Sequence, residues 1–253
     1  MREEWITSRK NPLLVQIRRL ASSRGARRSA GMFLGDGVKL LEEALKWGAP
    51  LETGVYSEGL DGPELPPEVR TVRVPEDVMA SISPMESPQG ALFLCRMWDT
   101  APPPRLEGGR YLVLDGLQDP GNVGTIWRTA DALEADGLLL VHGCADPFGP
   151  KVVRATMGAC FRLPVWETGP ERLAGLLERS GLALYATALR EDTEDIKTAD
   201  LSRSAVVIGS EGRGVSPELL AMSQRALKIP MRERCESLNA AAAAAVVLWE
   251  MGR

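Results

Sequence analysis

The feature that most constrains the fold is the regular alternation of short apolar runs and helix-like segments after residue 110. The apolar runs have strand length, and polar turns separate them from the helical patterns. The predicted strands are Tyr111–Asp115, Gly137–His142, Ala183–Thr187, Ala205–Ile208 and Ala226–Ile229. The predicted helices are residues 122–134, 150–158, 170–180, 216–222 and 238–251. This alternation predicts an α/β domain with a parallel sheet, whose ligands bind beyond the carboxyl ends of the strands.

A proline-rich stretch divides the chain in two. Residues 99–109, DTAPPPRLEGG, contain three consecutive prolines, which favour an extended and semi-rigid linker. Helical and strand-like patterns also alternate before this linker, so residues 1–98 are expected to form a small α/β domain. Residues 110–253 form the second predicted domain.

Composition excludes several classes of protein. No run of about 18 apolar residues occurs, so no membrane span is expected, and the first ten residues do not resemble a secretory signal. The four cysteines are scattered without a CxxC pair, which favours a reducing cytoplasm and no metal site. His142, the only histidine, follows an apolar run and is interpreted as a strand-end residue, so another group is expected to handle protons.

Positive charge is concentrated at the N-terminus. Residues 1–35 hold eight basic and two acidic residues, a net charge of +6 within a chain of net charge −4. Such a basic segment predicts contact with nucleic-acid phosphates. A solvated helix face is the alternative interpretation. The candidate contacts are Arg9, Arg18, Arg19, Arg27 and Arg28.

Three stretches combine polar or glycine residues with predicted strand ends. In the first, DPGNVGTIWRTA, Asn122 is interpreted as the N-cap of a helix that carries Arg128. In the second, GSEGRG, three glycines surround Glu211, without the pattern of a Walker loop or of a dinucleotide-binding loop. The third comprises residues 229–231, IPM, and 236–241, ESLNAA, followed by an apolar helix expected to be buried on every side. Helix capping and solvated charge remain alternative explanations for each stretch.

In this order the three stretches resemble the motifs of the SpoU (TrmH-type) RNA ribose 2′-O-methyltransferases. Residues 151–165 also resemble the family segment between the first two motifs, and the first hundred residues are similar to a substrate-binding domain often fused to such enzymes. The resemblance implies a trefoil knot, S-adenosylmethionine as cofactor and a homodimer. Two positions depart from the family pattern, Thr156 in place of a frequent serine and an alanine run after Asn239.

The resemblance also implies roles for individual residues. Those expected at the cofactor are Thr187, Ala188, Gly209, Gly214, Ile229, Met231 and Leu238. Those expected in catalysis are Asn122, Arg128, Glu211, Ser237 and Asn239. The family assigns Arg128 the removal of the hydroxyl proton, but a free arginine has a pKa above about 12, so a phosphate clamp is equally compatible with the sequence.

The expected function is therefore methyl transfer to a ribose 2′-hydroxyl of RNA, in the cytoplasm. The fused N-terminal domain favours ribosomal RNA as substrate. Alternative interpretations are a transfer RNA methyltransferase, a catalytically inactive RNA-binding assembly factor and a small-molecule methyltransferase.

Overall fold

The computed structural model describes residues 4–188, 192–232, 234 and 237–253. It divides into two compact units. The first comprises Met1–Trp98 and Asp146–Phe161, and the second comprises Asp99–Ala145 and Arg162–Arg253. None of the helices in these described ranges is long and apolar enough to cross a membrane.

The strands and helices are numbered in chain order. The strands are β1 (Glu4–Trp5), β2 (Met32–Asp36), β3 (Leu51–Ser57), β4 (Arg70–Val74), β5 (Ala91–Arg96), β6 (Arg110–Asp115), β7 (Gly137–Val141), β8 (Val165–Glu167), β9 (Ala183–Thr187), β10 (Glu194–Asp195), β11 (Ser204–Gly209) and β12 (Arg225–Lys228). The α-helices are α1 (Pro12–Ser22), α2 (Arg24–Ala30), α3 (Val38–Lys46), α4 (Glu76–Ile82), α5 (Pro120–Ala132), α6 (Pro150–Ala155), α7 (Pro170–Ser180), α8 (Pro217–Met222) and α9 (Ala240–Met251).

The first unit is built on a five-stranded sheet in the order β1-β4-β3-β5-β2. Strands β1, β4 and β3 pair in parallel, whereas β5 is antiparallel to both β3 and β2. Helix α1 packs an apolar stripe into the core of this unit, as its spacing predicts. Its buried residues are Leu13, Leu14, Ile17 and Leu20.

Helix α2 has no apolar stripe, and its sequence, RGARRSA, gives no helical signal. Capping residues account for where α2 begins and ends. The Ser23 hydroxyl accepts a hydrogen bond from the backbone N–H of Ala26, and Gly31 ends the helix in the left-handed conformation. The residue that α2 buries is Arg27.

Residues 146–161 lie within the predicted second domain in sequence, but they cluster with the first unit in space. Helix α6 packs against β2, and the buried ring of Phe148 contacts Phe33 and Trp98. Asp146 pairs with Arg27 at 2.7 Å. Thr156 is fully buried, and its hydroxyl donates a hydrogen bond to the carbonyl of Val153, so the departure from serine leaves no unpaired hydroxyl.

The second unit is built on a seven-stranded sheet in the order β10-β12-β9-β11-β6-β7-β8. Every strand pair described in this sheet is parallel, as the alternating pattern predicts. The predicted strands correspond to β6, β7, β9, β11 and β12. The edge strands β8 and β10 have three and two residues, too few to produce a periodic signal.

Candidate functional site

A cavity of about 290 Å³ lies at the carboxyl ends of β9, β11 and β12 and at the start of α9. Parallel sheets place their ligand sites at this edge. All seven residues predicted at the cofactor line the cavity: Thr187, Ala188, Gly209, Gly214, Ile229, Met231 and Leu238. Glu211 and Ser237, predicted in catalysis, line it as well. The structure thus gathers both groups at one place.

Five further residues line this cavity that were assigned no individual role from the sequence, although Ser210 and Ala240 lie within the second and third motif stretches: Ile208, Ser210, Leu227, Ala240 and Ala243. Ala240 and Ala243 are three apart in the first turns of α9, so they share a helix face. The alanine run was the available signal, because small side chains leave room for a ligand beside a helix.

The loop 209–214 closes on itself by backbone hydrogen bonds. The N–H of Ser210 donates to the carbonyl of Gly214 at 3.1 Å, and the N–H of Gly214 donates to the carbonyl of Ser210 at 2.8 Å. A Cβ on Gly209 would lie 2.1 Å from the backbone carbon of Gly214, so only glycine fits there. Gly214 has φ of +67°, in the left-handed region. A Cβ on Gly212 would meet nothing within 4 Å, so this glycine is not required by packing.

A chain of side-chain hydrogen bonds joins one residue from each of the three motifs. The Asn239 Oδ1 accepts from the backbone N–H groups of Ala241 and Ala242, at 2.9 and 3.3 Å, and caps α9 as the sequence predicts. Its amide nitrogen therefore points away from the helix and donates to Asn122 Oδ1 at 3.1 Å. The Asn122 amide nitrogen in turn donates to the carboxylate of Glu211. The backbone N–H groups at the start of α9 thus fix which atoms donate and which accept in these side-chain hydrogen bonds.

The interpretation of Asn122 as an N-cap is wrong. Helix α5 begins at Pro120, and its cap is Asp119, whose Oδ1 accepts from the backbone N–H of Asn122 at 2.7 Å. Aspartate is as good a cap as asparagine, and proline is favoured in the first helical position. Because Asp119 satisfies the helix terminus, the side chain of Asn122 is free to bridge Glu211 and Asn239.

Arg128 is exposed on α5, and its guanidinium makes no hydrogen bond or ion pair with any residue that the structure describes. It lies six residues beyond Asn122, about 9 Å along the helix axis and about 120° around it. The structure therefore does not join Arg128 to the hydrogen-bond chain of Glu211, Asn122 and Asn239.

The predicted phosphate contacts differ in exposure. Arg19 is exposed, and Arg18 is half-buried with its guanidinium on the carbonyl of Arg9. Arg9 is exposed and pairs with Asp77. Arg28 is exposed and lies over the ring of Phe148, 5.4 Å from its centroid.

The prediction for Arg27 as an RNA contact is wrong. Its side chain is 6% exposed, donates to the carbonyl of Leu20 at 2.5 Å and pairs with Asp146. A guanidinium whose donors meet a buried carboxylate and a carbonyl does not present them to a phosphate.

His142 directly follows β7, which ends one residue earlier than predicted, and its ring has two acidic partners. Its Nδ1 lies 2.6 Å from the buried carboxylate of Asp115, and its Nε2 lies 3.2 Å from Glu218. The hydrogen bond with Asp115 is the main cause that raises the pKa of His142, and Glu218 adds to it, while partial burial lowers it. Asp115 also accepts from the backbone N–H of Ser216 at 2.6 Å, so this pair anchors the start of α8.

The cysteines that the structure describes have structural roles. Cys95, Cys144 and Cys160 are buried and free, whereas Cys235 lies outside the described residues. Burial raises the pKa of Cys95 to about 12 and that of Cys144 to about 11. Both therefore remain thiols at neutral pH and are poor nucleophiles.

Each of the two units contains a region that matches a known protein family. Residues 109–249 match the SpoU rRNA Methylase family, and residues 11–92 match the MRM3-like substrate binding domain. The 23S rRNA (guanosine(2553)-2′-O)-methyltransferase RlmP of Bacillus subtilis is 32% identical over 97% of this chain and 98% of its own length. The 23S rRNA (uridine(2479)-2′-O)-methyltransferase of Streptomyces viridochromogenes is 32% identical over 98% of this chain and 91% of its own length.

Among solved structures, the AdoMet-bound rRNA methyltransferase from Sinorhizobium meliloti superimposes with a TM-score of 0.86. It shares 31% identity, and the match covers 98% of this chain and 97% of that one. Its bound AdoMet agrees with the cofactor predicted from the three motifs. These findings confirm the family assignment that the motifs predicted: this chain is a methyltransferase of the SpoU rRNA Methylase family.

Proposed function

We propose that the protein transfers the methyl group of S-adenosylmethionine to a ribose 2′-hydroxyl of ribosomal RNA. The observation that carries this proposal is the hydrogen-bond chain of Glu211, Asn122 and Asn239 beside a cavity at the carboxyl edge of a parallel sheet. These residues come from three separate motifs, and capping by itself does not require them to meet.

The residues around the cavity fit S-adenosylmethionine. Ile229, Met231 and Leu238 offer apolar surface to an adenine ring, and the loop 209–214 offers backbone polar groups at close approach. When bound, the cofactor supplies a methyl group on a sulfonium that is already activated for transfer. The protein then has to bind the ribose, orient its hydroxyl and accept a proton.

Glu211 and Asn122 are placed to orient the ribose. Glu211 lines the cavity, and Asn122 fixes its carboxylate from the side of α5. Two roles remain open for Arg128, removal of the hydroxyl proton with help from an RNA phosphate, or clamping that phosphate so that the hydroxyl is aligned. Both require an exposed guanidinium without a partner in the described chain, which is the state of Arg128.

The first unit supports RNA, and ribosomal RNA in particular, as the substrate. It matches a substrate-binding domain, and RlmP, similar over nearly its whole length, is named for action on 23S rRNA. Arg9, Arg18, Arg19 and Arg28 remain candidate phosphate contacts in this unit. A transfer RNA substrate and an inactive assembly factor are the alternatives, and the complete hydrogen-bond chain favours an active enzyme.

Helix α9 supports a homodimer. The sequence predicted a helix buried on every side, and that prediction is wrong within one chain, because an apolar stripe of α9 and its N-terminal flank is uncovered. Trp249 is 63% exposed, and the exposed Ala242 lies seven residues earlier on the same face of α9. Leu238, just before the helix, is 39% exposed. We propose that a second copy of this chain covers the stripe. Trp249→Glu is expected to give monomers in sedimentation velocity where the wild type gives dimers.

Two further features follow from the family resemblance and belong to the same proposal, a C-terminal trefoil knot and a cytoplasmic location. The knot is supported by the packing of α9 against both α5 and β11, which brings the C-terminal segment beside the elements of the first and second motifs.

Mapping of 2′-O-methylation tests the proposed function. A strain that lacks the gene should lose one methylated nucleotide in ribosomal RNA, and purified protein with S-adenosylmethionine should restore it. Arg128→Ala should fail to restore it while keeping the melting temperature and the affinity for S-adenosylmethionine. An unchanged methylation map in the deletion strain would contradict the proposal, and full activity of Arg128→Ala would contradict the role of this residue.

A further inference from the structure

A second cavity, of about 550 Å³, adjoins the cofactor cavity in the same unit. The two share Ser210, Glu211 and Gly214. The rest of the second cavity is lined by four groups of residues: the end of β6 with the turn after it, His142 after β7, Gly212 and Arg213 of the glycine loop, and the start of α8. Its volume lies within the usual range for small-ligand sites, about 300–1,000 Å³. Apart from Glu211 and Gly214, none of its lining residues has a predicted cofactor or catalytic role.

The geometry of a ribose makes this cavity relevant, given the function proposed above. The 2′-hydroxyl and the base are attached to neighbouring carbons of the sugar ring. A nucleotide whose 2′-hydroxyl reaches the cofactor cavity must therefore place its base in a space directly beside that cavity. Proteins that act on RNA commonly hold such a base outside its stack in a pocket.

The charge of the cavity favours a base over a phosphate. Asp115, Asp119 and Glu211 line it, against Arg213 and His142. Two helices begin there, each with a side-chain cap, Asp119 in α5 and Ser216 in α8, and the carboxylate of Asp119 disfavours an anion at the start of α5. Carboxylates repel a phosphate and accept hydrogen bonds from the amino groups of bases, whereas the N3–H of uracil lies between two carbonyl oxygens that a carboxylate repels.

Asp119 is the acid best placed to make such a bond. Its Oδ1 caps α5, while its Oδ2 has no hydrogen bond to any residue in the described part of the chain. Asp115, in contrast, is buried and uses both oxygens, one with His142 and one with Ser216. Asp115 is therefore fixed by His142 and Ser216, whereas the exposed Asp119 keeps one free acceptor.

We propose that this cavity binds the base of the nucleotide that is methylated, and that Asp119 selects a base with an amino group, guanine, adenine or cytosine, over uracil. Family membership leaves this choice open, because the two relatives above are named for guanosine and for uridine.

Asp119→Asn tests the proposal with little disturbance of the fold. Asparagine is an equally good N-cap, so α5 keeps its terminus, while the negative charge is lost and a donor replaces one acceptor. Glu171→Gln is the matched control, since Glu171 lies in the first turn of α7 and does not line the cavity. The assay is methyl transfer to total RNA from a deletion strain, followed by mass spectrometry of the released nucleosides.

The wild type is expected to produce a 2′-O-methylated nucleoside that carries an amino group. Asp119→Asn should lower kcat/KM at least tenfold, mainly through KM for RNA, with the affinity for S-adenosylmethionine unchanged, and Glu171→Gln should stay within twofold. A product of 2′-O-methyluridine, or equal kcat/KM in Asp119→Asn and the wild type, would overturn this proposal alone. No methyl transfer to RNA by the wild type would overturn the proposed function and this inference with it.

Discussion

The basic N-terminal segment and the three-motif cluster differ in how their polar residues are used. Charge alone singled out the arginines of the segment, but the side chain of one of them, Arg27, is buried within its unit. Position within ordered motifs singled out Asn122, Glu211 and Asn239, and the structure joins these three by hydrogen bonds. A local excess of positive charge does not distinguish a buried arginine from an exposed one. Residues of ordered motifs, in contrast, are predicted to meet at one edge of the sheet, and their contacts in the structure test that prediction.

The largest expected effect in this comparison is on folding. Arg27→Gln removes the nearer charged partner of the buried Asp146 and leaves Arg28 at 3.7 Å, so the unfolding free energy should fall by about 3 kcal/mol, the lower end of the cost of breaking a buried pair. Arg19→Gln, at an exposed position of α1, should change it by less than about 0.5 kcal/mol. Urea denaturation measures both. Equal stability of the two variants would mean that the Arg27 side chain contributes no more to the free energy of unfolding than an exposed arginine does.

The next effect concerns the glycine loop. Gly209→Ala places a methyl group against the backbone of Gly214, so the loop must open, and the affinity for S-adenosylmethionine should fall at least tenfold in calorimetry. Gly212→Ala meets open space and should bind as the wild type does. If both variants bound S-adenosylmethionine equally well, the closed geometry of the loop would not be needed for cofactor binding.

A smaller effect is expected for RNA contact by the first unit. Arg18→Gln with Arg19→Gln removes two candidate phosphate contacts and should lower the slope of log affinity against log salt by about one to two units. Binding of S-adenosylmethionine serves as the internal control and should not change. An identical salt slope would leave these arginines as a solvated helix face.

The smallest effect is a pH dependence that comes from His142. Its pKa is raised in the folded state, so its contribution to stability is complete below the ordinary value of 6.5 and is lost as pH rises through the folded-state value. The stability advantage of the wild type over His142→Asn should therefore shrink between pH 6 and pH 9. Asparagine suits the positive φ of 53° at this position. A pH-independent difference in denaturation experiments would contradict this linkage.

The sequence predicted the parallel sheet well, because apolar runs of strand length, such as β6 and β11, alternate with helical segments. The residues that the family motifs assign to the cofactor line one cavity, because the motifs are local and lie at neighbouring strand ends. The sequence did not predict α2, whose sole buried side chain is that of an arginine, or the short edge strands β8 and β10. The bond between Asp115 and His142 was missed for a different reason, since its partners are 27 residues apart and only sheet register brings them together.

The cap of α5 shows the same limit at a single residue. Asp119 and Asn122 are both good caps, and propensity cannot choose between them. The choice matters, because a capping Asn122 would use its Oδ1 at the helix terminus, whereas the observed Oδ1 accepts a hydrogen bond from Asn239. Since Asp119 is the cap, removal of the Asn122 side chain no longer confuses catalysis with helix stability.

Single-turnover methyl transfer by Asn122→Ala therefore tests the central claim most directly. If the chain of Glu211, Asn122 and Asn239 orients the ribose, the transfer rate should fall about a hundredfold, in the range found when one positioning donor is removed from an active site. The melting temperature and the affinity for S-adenosylmethionine should stay close to those of the wild type. A wild-type transfer rate in this variant would contradict the account, because the three motifs would then meet for structure alone.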